Sequence, residues 1–140
     1  MRNYRALITA LLTLVFAVGC SKAWIDDEGN YRRAYGFDKA PYIQIVHSYY
    51  STSRWGRKDP RYFFAQRLPE ELVQKLVADG TMRSETPDSR ARYGCGGKPP
   101  DWFVPKSADH YEMWVYKDFS GIRMFRDKDN GTIYNCGGRP

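Results

Sequence analysis

Residues 110–136, HYEMWVYKDFSGIRMFRDKDNGTIYNC, contain the pattern that decides the fold. Three runs within this stretch are rich in aromatic and β-branched residues, which is typical of β-strands. The runs are 110–117, 122–126 and 132–136. Ser120-Gly121 marks a turn after the first run, and Asn130-Gly131 is the strongest short signal for a type I′ hairpin turn. We therefore predict three consecutive antiparallel strands.

Two segments upstream add strands, and one adds a helix. Residues 42–50, YIQIVHSYY, have the period-two alternation of a strand. Residues 61–67, RYFFAQR, are interpreted as a second strand, although a helix with Pro60 in its first turn is an open alternative. Residues 69–79 predict the clearest helix, because their apolar residues form one stripe and Gly80 suits a left-handed C-cap. The stripe consists of Leu72, Val73, Leu76 and Val77.

Together these elements predict an α+β fold. We expect a small antiparallel sheet of about four to five strands with one main helix packed on one face. Residues 81–108 contain several prolines and glycines and predict a long loop. Residues 20–40 lack a clear pattern and are interpreted as a tether, so residues 41–140 are predicted to form a single small domain.

One heptapeptide pattern occurs twice, as YGCGGKP at 93–99 and as YNCGGRP at 134–140. We predict that Cys95 and Cys136 form a disulfide and that each Gly-Gly pair lets the backbone turn away from the bridge. In the chain-entropy model, closing a loop of about 40 residues contributes about 3–4 kcal/mol of stability. The open alternatives are coincidence and a pair of Gly-Gly nests that bind an anion.

The first twenty residues have the zones of an export signal. Arg2 and Arg5 make the start basic, and residues 6–18 form an apolar run. This run of about 13 residues is shorter than the roughly 20 that a membrane-spanning helix needs.

Ala17-Val18-Gly19-Cys20 resembles the lipobox of bacterial lipoproteins, with Ala17 where leucine is usual. The resemblance implies that residues 1–19 are cleaved as a lipoprotein signal peptide. It also implies that the Cys20 thiol receives a diacylglycerol, so that two or three acyl chains, such as palmitate, hold the protein at a membrane. Ordinary signal cleavage at the same bond, without acylation, is the alternative.

The number of cysteines favours acylation. The chain has three cysteines, and an exported protein with an odd number leaves one to explain. Lipidation of Cys20 leaves an even pair for an oxidising compartment, where disulfides persist. We therefore predict a lipid-anchored protein of the cell envelope. In a Gram-negative cell, Ser21 after the anchor implies the outer membrane, with the domain facing the periplasm.

The charge balance indicates the chemistry of partners. The formal net charge of +6 falls to +4 when Arg2 and Arg5 leave with the signal peptide. A small positive balance favours acidic proteins, glycans or anionic lipids. Nucleic acid is not an expected partner of an exported, tethered protein. The candidate partner-binding residues are Arg54, Trp55, Arg57, Lys58, Lys98 and Arg139. A solvated basic loop is the open alternative for residues 54–58.

The sequence identifies no catalytic, cofactor-binding or metal-binding residues. Asp127-Lys128-Asp129-Asn130-Gly131 has its glycine in the wrong position for a calcium loop, and His47 and His110 lack the spacing of a zinc site. We predict a binding module for a protein, glycan or anionic lipid. The alternatives are a passive structural lipoprotein and a small tethered hydrolase, which requires a cleft where a histidine meets a carboxylate.

Overall fold

The computed structural model describes residues 22–52 and 60–138. Its strands are β1 Lys22–Ile25, β2 Gln44–Thr52, β3 Arg61–Arg67, β4 Met82–Glu85, β5 Tyr111–Tyr116, β6 Phe119–Asp127 and β7 Ile133–Gly138. Two α-helices, α1 Asn30–Tyr35 and α2 Glu70–Ala78, precede β2 and β4. All seven strands form one antiparallel sheet in the order β1-β2-β3-β7-β6-β5-β4. The sheet therefore consists of two meanders that meet where β3 pairs with β7.

The prediction of an α+β fold with about four to five strands and one main helix is wrong, because a seven-stranded sheet dominates the fold. The strands that the sequence analysis missed are the edge strands β1 and β4. Each has only four residues, KAWI and MRSE, without alternation of apolar and polar side chains. Short edge strands depend on one paired neighbour, so their own sequence carries little signal.

Residues 22–35 belong to the fold, whereas we expected a tether over residues 20–40. Lys22–Ile25 pairs with the end of β2, and α1 packs beside β2 and β3. The fully buried Asn30 holds this region together. Its Nδ2 donates to Trp24 O on β1 (3.1 Å) and to Ser48 Oγ on β2 (3.0 Å), so one buried side chain joins these two strands to α1.

The other predicted strands and the helix are confirmed, whereas the long loop expected over residues 81–108 begins only after β4. The strands expected at 42–50 and 61–67 are β2 and β3, and the three expected in the C-terminal stretch are β5, β6 and β7. The helix expected at 69–79 is α2, and Gly80 after it has a φ of +67°. This value places Gly80 in the left-handed region that favours glycine.

The two turns between the last three strands differ from the prediction. Strands β5 and β6 are joined at Lys117 and Asp118, so Ser120-Gly121 lies inside β6. Between β6 and β7, Gly131 has a φ of +71°, but Asn130 does not share the positive φ that a type I′ turn requires. The Gly131 N–H instead donates to Asp127 O (2.8 Å), which closes a longer connection.

One face of the sheet is covered by the segment that leads from β4 to β5. A disulfide joins Cys95 in this segment to Cys136 on β7, with 5.9 Å between the Cα atoms, which confirms the predicted pairing. Phe103 from the same segment is fully buried, and its ring packs edge-on against three others in the core. These rings belong to Phe63, Phe125 and Tyr134.

The two Gly-Gly pairs beside the bridge have different roles. Gly96 and Gly97 have φ values of +80° and +70°, so the backbone turns away from the bridge as predicted. Gly137 instead continues β7, and a Cβ there would clash with the Tyr62 hydroxyl of the neighbouring strand.

The opposite face of the sheet carries both helices, one near each edge. Helix α2 buries Val73 against Trp114, Met124 and Ile133. Helix α1 packs Tyr31 and Tyr35 on Phe64 of β3. No helix in residues 22–52 or 60–138 is long and apolar enough to cross a membrane.

Candidate functional site

A groove runs between the two helices over the centre of the sheet. Its volume is about 550 Å³. Ligand sites in proteins are typically concave, about 300–1,000 Å³ in volume, and lined by apolar and aromatic side chains with a few polar groups. The groove has this size and this composition, so we describe it as the candidate site.

The two long walls of the groove are chemically different. The first wall is aromatic and comes from α1 and the segment that follows it: Tyr31, Tyr35, Phe37 and Tyr42. The second wall is aliphatic and comes from α2 and the residue before Pro69: Leu68, Leu72 and Leu76. Because the apolar stripe of α2 is wide, Val73 faces the sheet while the leucines remain available to line the groove.

Several side chains at the rim are exposed although they are large and apolar. Phe37 is 60% exposed, Tyr42 is 56% exposed, and Leu76 is also exposed. A contiguous apolar surface of this kind marks an interaction site more often than a scattered exposed residue does. Only Asp38 and Arg123 among the lining residues carry a charge, and their charges are opposite. The groove therefore suits a neutral, apolar occupant.

The floor of the groove contains a chain of hydrogen bonds between polar side chains. Gln66 Nε2 donates to Asn135 Oδ1 (2.9 Å), and Asn135 Nδ2 donates to the Tyr35 hydroxyl. The Tyr35 and Tyr62 hydroxyls are hydrogen-bonded in turn, and burial raises the pKa of both phenols. Four side chains from α1, β3 and β7 are thus connected beneath the apolar walls.

Gln66 lies at one end of this chain and is only 6% exposed. Its Oε1 accepts no hydrogen bond from any residue that the structure describes. A buried acceptor without a donor costs about 1–3 kcal/mol. Gln66 lines the groove, but its Oε1 is itself covered by neighbouring atoms, so an occupant reaches this oxygen only by displacing them.

A second cavity of about 690 Å³ adjoins the groove and shares Tyr31 and Ile43 with it. Its lining includes three consecutive carboxylates, Asp26, Asp27 and Glu28. Two of them have partners: Asp26 Oδ1 accepts the Ser48 N–H (2.7 Å), and Asp27 accepts a hydrogen bond from Arg33. The bond from Arg33 lowers the pKa of Asp27 below its usual value.

Both histidines contact a carboxylate, which is one part of the feature expected for a hydrolase; the other part is a cleft at that contact. His47 Nδ1 lies 3.3 Å from Asp26 Oδ2, and its ring stacks on Trp102. His110 Nδ1 lies 3.1 Å from Asp129 Oδ2. Neither histidine lines the groove or the acidic cavity, however, and within residues 22–52 and 60–138 neither ring is bonded to a hydroxyl. The same residues include no cluster of histidine, cysteine and acidic side chains that could hold a metal ion.

Most of the predicted partner-binding residues fall outside the described ranges. Arg54, Trp55, Arg57, Lys58 and Arg139 are among these, and so is Cys20. Lys98 is exposed on the disulfide-stapled side of the sheet and does not line the groove. The Arg61 guanidinium lies against the Gly96-Gly97 pair, where a Cβ on Gly97 would clash with it.

The residues of the groove were missed because they come from segments far apart in the sequence. A local signal existed in β3, where Tyr62, Phe64 and Gln66 occupy every second position and therefore share one face of the strand. A glutamine that continues an aromatic face of a strand indicates a polar contact inside an apolar layer. No protein-family model, curated protein or solved structure matches the chain.

Proposed function

We propose that this protein is a lipid-anchored binding module of the cell envelope that holds an apolar segment of a partner protein in the groove between α1 and α2. The observation that carries the proposal is the groove itself, with its aromatic wall, its leucine wall and its nearly uncharged lining. Grooves of this kind accept the apolar face of an amphipathic helix in other recognition systems.

A polypeptide suits the groove better than a small lipid does. Phe37 and Tyr42 project at the rim, and each keeps more than half of its surface exposed. A ligand small enough to fill about 550 Å³ would leave this rim in water, whereas a protein surface covers the groove and the rim together. Aromatic residues are also enriched in the buried centres of protein interfaces.

The location at the envelope rests on the sequence. Ala17-Val18-Gly19-Cys20 has the form of a lipobox, and the bond between Cys95 and Cys136 leaves Cys20 as the unpaired cysteine of the chain. Strand β1 begins at Lys22, two residues after Cys20, so an acylated Cys20 would hold the sheet close to the membrane surface.

Peptide selection with a matched pair of variants tests the binding function. A phage-displayed library of random peptides is selected on the protein purified after export and processing in a bacterial expression host. Selected peptides should carry apolar anchors, and Tyr42→Ser should weaken their binding about tenfold or more, as truncation of an aromatic anchor does. Tyr93→Ser is the matched control, because Tyr93 is 50% exposed but lies outside the groove.

Other results would count against the proposal. If selection yields no binder that distinguishes Tyr42→Ser from Tyr93→Ser, the groove does not hold a peptide. If phospholipid vesicles or detergent micelles compete for the groove as well as the best peptide does, its occupant is a lipid. Both variants change exposed positions, so equal melting temperatures would exclude an effect through folding.

The contacts between histidines and carboxylates favour the hydrolase as a second candidate. Asp26 and the stacked Trp102 hold the His47 ring in place. In this candidate function His47 is the general base and Asp26 is the carboxylate that orients it. A hydrolytic activity on envelope glycans or peptides that His47→Gln abolishes would establish it. Activity that survives this substitution and His110→Gln would exclude both histidines.

A further inference from the structure

We infer that the floor of the groove selects a partner whose anchor side chain donates a hydrogen bond to Gln66 Oε1, and that this anchor is the indole of a tryptophan. The inference deepens the proposed function and rests on it. It starts from one observation, the Gln66 oxygen that has no donor among the described residues. This oxygen is covered in the free protein, so the anchor side chain has to displace that cover to reach it.

The neighbours of Gln66 favour the orientation that its amide has in the structure. Gln66 Nε2 faces Asn135 Oδ1 at 2.9 Å, so a flip of this amide alone would place two acceptor oxygens against each other. Both groups of the Asn135 amide are bonded in this orientation, since Oδ1 accepts from Gln66 and Nδ2 donates to the Tyr35 hydroxyl. The chain of hydrogen bonds therefore runs away from Gln66 and leaves Oε1 as an acceptor.

The surroundings of this acceptor define the chemistry of the donor. The lining of the groove is mostly apolar, with Leu72 and Met124 among its members, so a charged donor would lose its water at a high cost. A neutral N–H or O–H on a large apolar body is required. The indole of tryptophan has this form, and its nitrogen donates but does not accept. Buried tryptophans usually find a partner for this N–H.

A donor that meets Gln66 Oε1 would do more than add one contact. It would remove the penalty of an unpartnered acceptor, and an isosteric ligand without the N–H would leave that penalty in place. Sites that are built to hydrogen-bond a ligand discriminate strongly against analogues that lack the matching group. Gln66 is therefore expected to determine specificity, whereas the apolar walls supply general affinity.

Indole and benzofuran test this inference directly. The two molecules have nearly the same shape, and only indole has a hydrogen-bond donor in its five-membered ring. Each is titrated into the isotopically labelled protein while NMR follows the side-chain amides of Gln66 and Asn135 and the methyl groups of Leu72. We expect indole to bind about tenfold or more tightly than benzofuran, from the cost of the unpartnered acceptor.

Gln66→Met is the matching variant, because methionine keeps the length of the side chain and removes its amide. Indole and benzofuran should bind this variant equally. If the variant does not fold, the comparison of the two probes on the unchanged protein still decides the question.

Each remaining outcome has a distinct meaning. Equal affinity of the two probes at the groove would overturn the inference that Gln66 Oε1 accepts a hydrogen bond from the occupant. The groove itself would remain a binding site. Tighter binding of benzofuran would also overturn it, because the hydrogen-bond chain would then run in the opposite direction and present a donor. If neither probe shifts the Leu72 resonances, the groove does not bind apolar rings, and the proposed function fails together with the inference.

Discussion

Lys106 and Asp127 form an ion pair in which Nζ lies 2.8 Å from Oδ2 and the carboxylate is 1% exposed. Lys106 lies in the disulfide-stapled segment, and Asp127 ends β6. The same ammonium contacts Asp129 (2.7 Å) in the connection to β7. The pair therefore ties the segment that covers one face of the sheet to the hairpin beneath it.

Lys106→Met should lower the melting temperature by several degrees. The substitution leaves the Asp127 carboxylate buried without its counter-charge, and an unpaired buried charge is strongly destabilising. The double variant Lys106→Met/Asp127→Asn should recover most of the loss, because the asparagine is neutral and its Oδ1 can still accept the Asp129 N–H. Calorimetry of the variants measures these differences.

Lys128→Met is the control for this experiment. Lys128 is exposed, and its Nζ donates to Asp109 O in the same region (2.7 Å). If Lys106→Met is no more destabilising than Lys128→Met, the pair with Asp127 does not hold the segment in place.

Acid should destabilise the protein through Asp129. The pKa of this carboxyl is lowered from 3.8, mainly by the hydrogen bond from Lys106 and to a smaller extent by the hydrogen bond from His110. A group whose pKa is lower in the folded state contributes stability above its unfolded pKa, and the contribution is lost as the pH falls through the folded value. We therefore expect the urea midpoint to be stable near neutral pH and to fall below about pH 3.8.

Asp129→Asn shows how much of this pH dependence belongs to one residue. The variant should start from a lower urea midpoint at neutral pH and lose less on acidification, because asparagine does not titrate. Asp27 and Asp109 also have lowered pKa values, so part of the slope should remain. An unchanged slope in Asp129→Asn would show that Asp129 does not contribute.

Reduction of the disulfide should destabilise the fold by about 3–4 kcal/mol, as expected for a closed loop of this length. Cys95 and Cys136 are 41 residues apart, and the bridge fixes the covering segment to the centre of the sheet. Urea unfolding of the oxidised protein and of Cys95→Ala/Cys136→Ala measures the difference. Equal stabilities would mean that the aromatic packing around Phe103 holds the segment without the bridge.

The repeated heptapeptide and the C-terminal strands show how far the sequence could be interpreted. The alternation in β2, the aromatic and β-branched content of β5 to β7 and the apolar stripe of α2 are local properties, so sequence reasoning located these elements. The pairing of Cys95 with Cys136 followed from the matching residues around each cysteine. The edge strands β1 and β4 were missed, because pairing with β2 and β5 stabilises them rather than any local alternation.

The groove could not be predicted for a related reason. Tyr42, Gln66, Leu72 and Asn135 meet only because the order of strands places β3 beside β7 and leaves a gap between two helices. Nothing in the sequence of any one segment indicates the others. The width of the stripe on α2 was visible, but a wide stripe equally suits a helix that is buried on two sides.

The lipid anchor can be tested with the two cysteines of the bridge as an internal reference. Because Cys95 and Cys136 are bonded to each other, Cys20 is the one cysteine of the chain whose thiol is left to be free or acylated. If Cys20 is acylated, the protein extracted from membranes under non-reducing conditions has no free thiol and should not react with a maleimide. Its intact mass should exceed that of the chain from Cys20 to Pro140 by the mass of the attached acyl chains. Ordinary cleavage at the same bond would instead give the unmodified mass and one maleimide-reactive thiol, and the protein would then need another means of staying at the membrane.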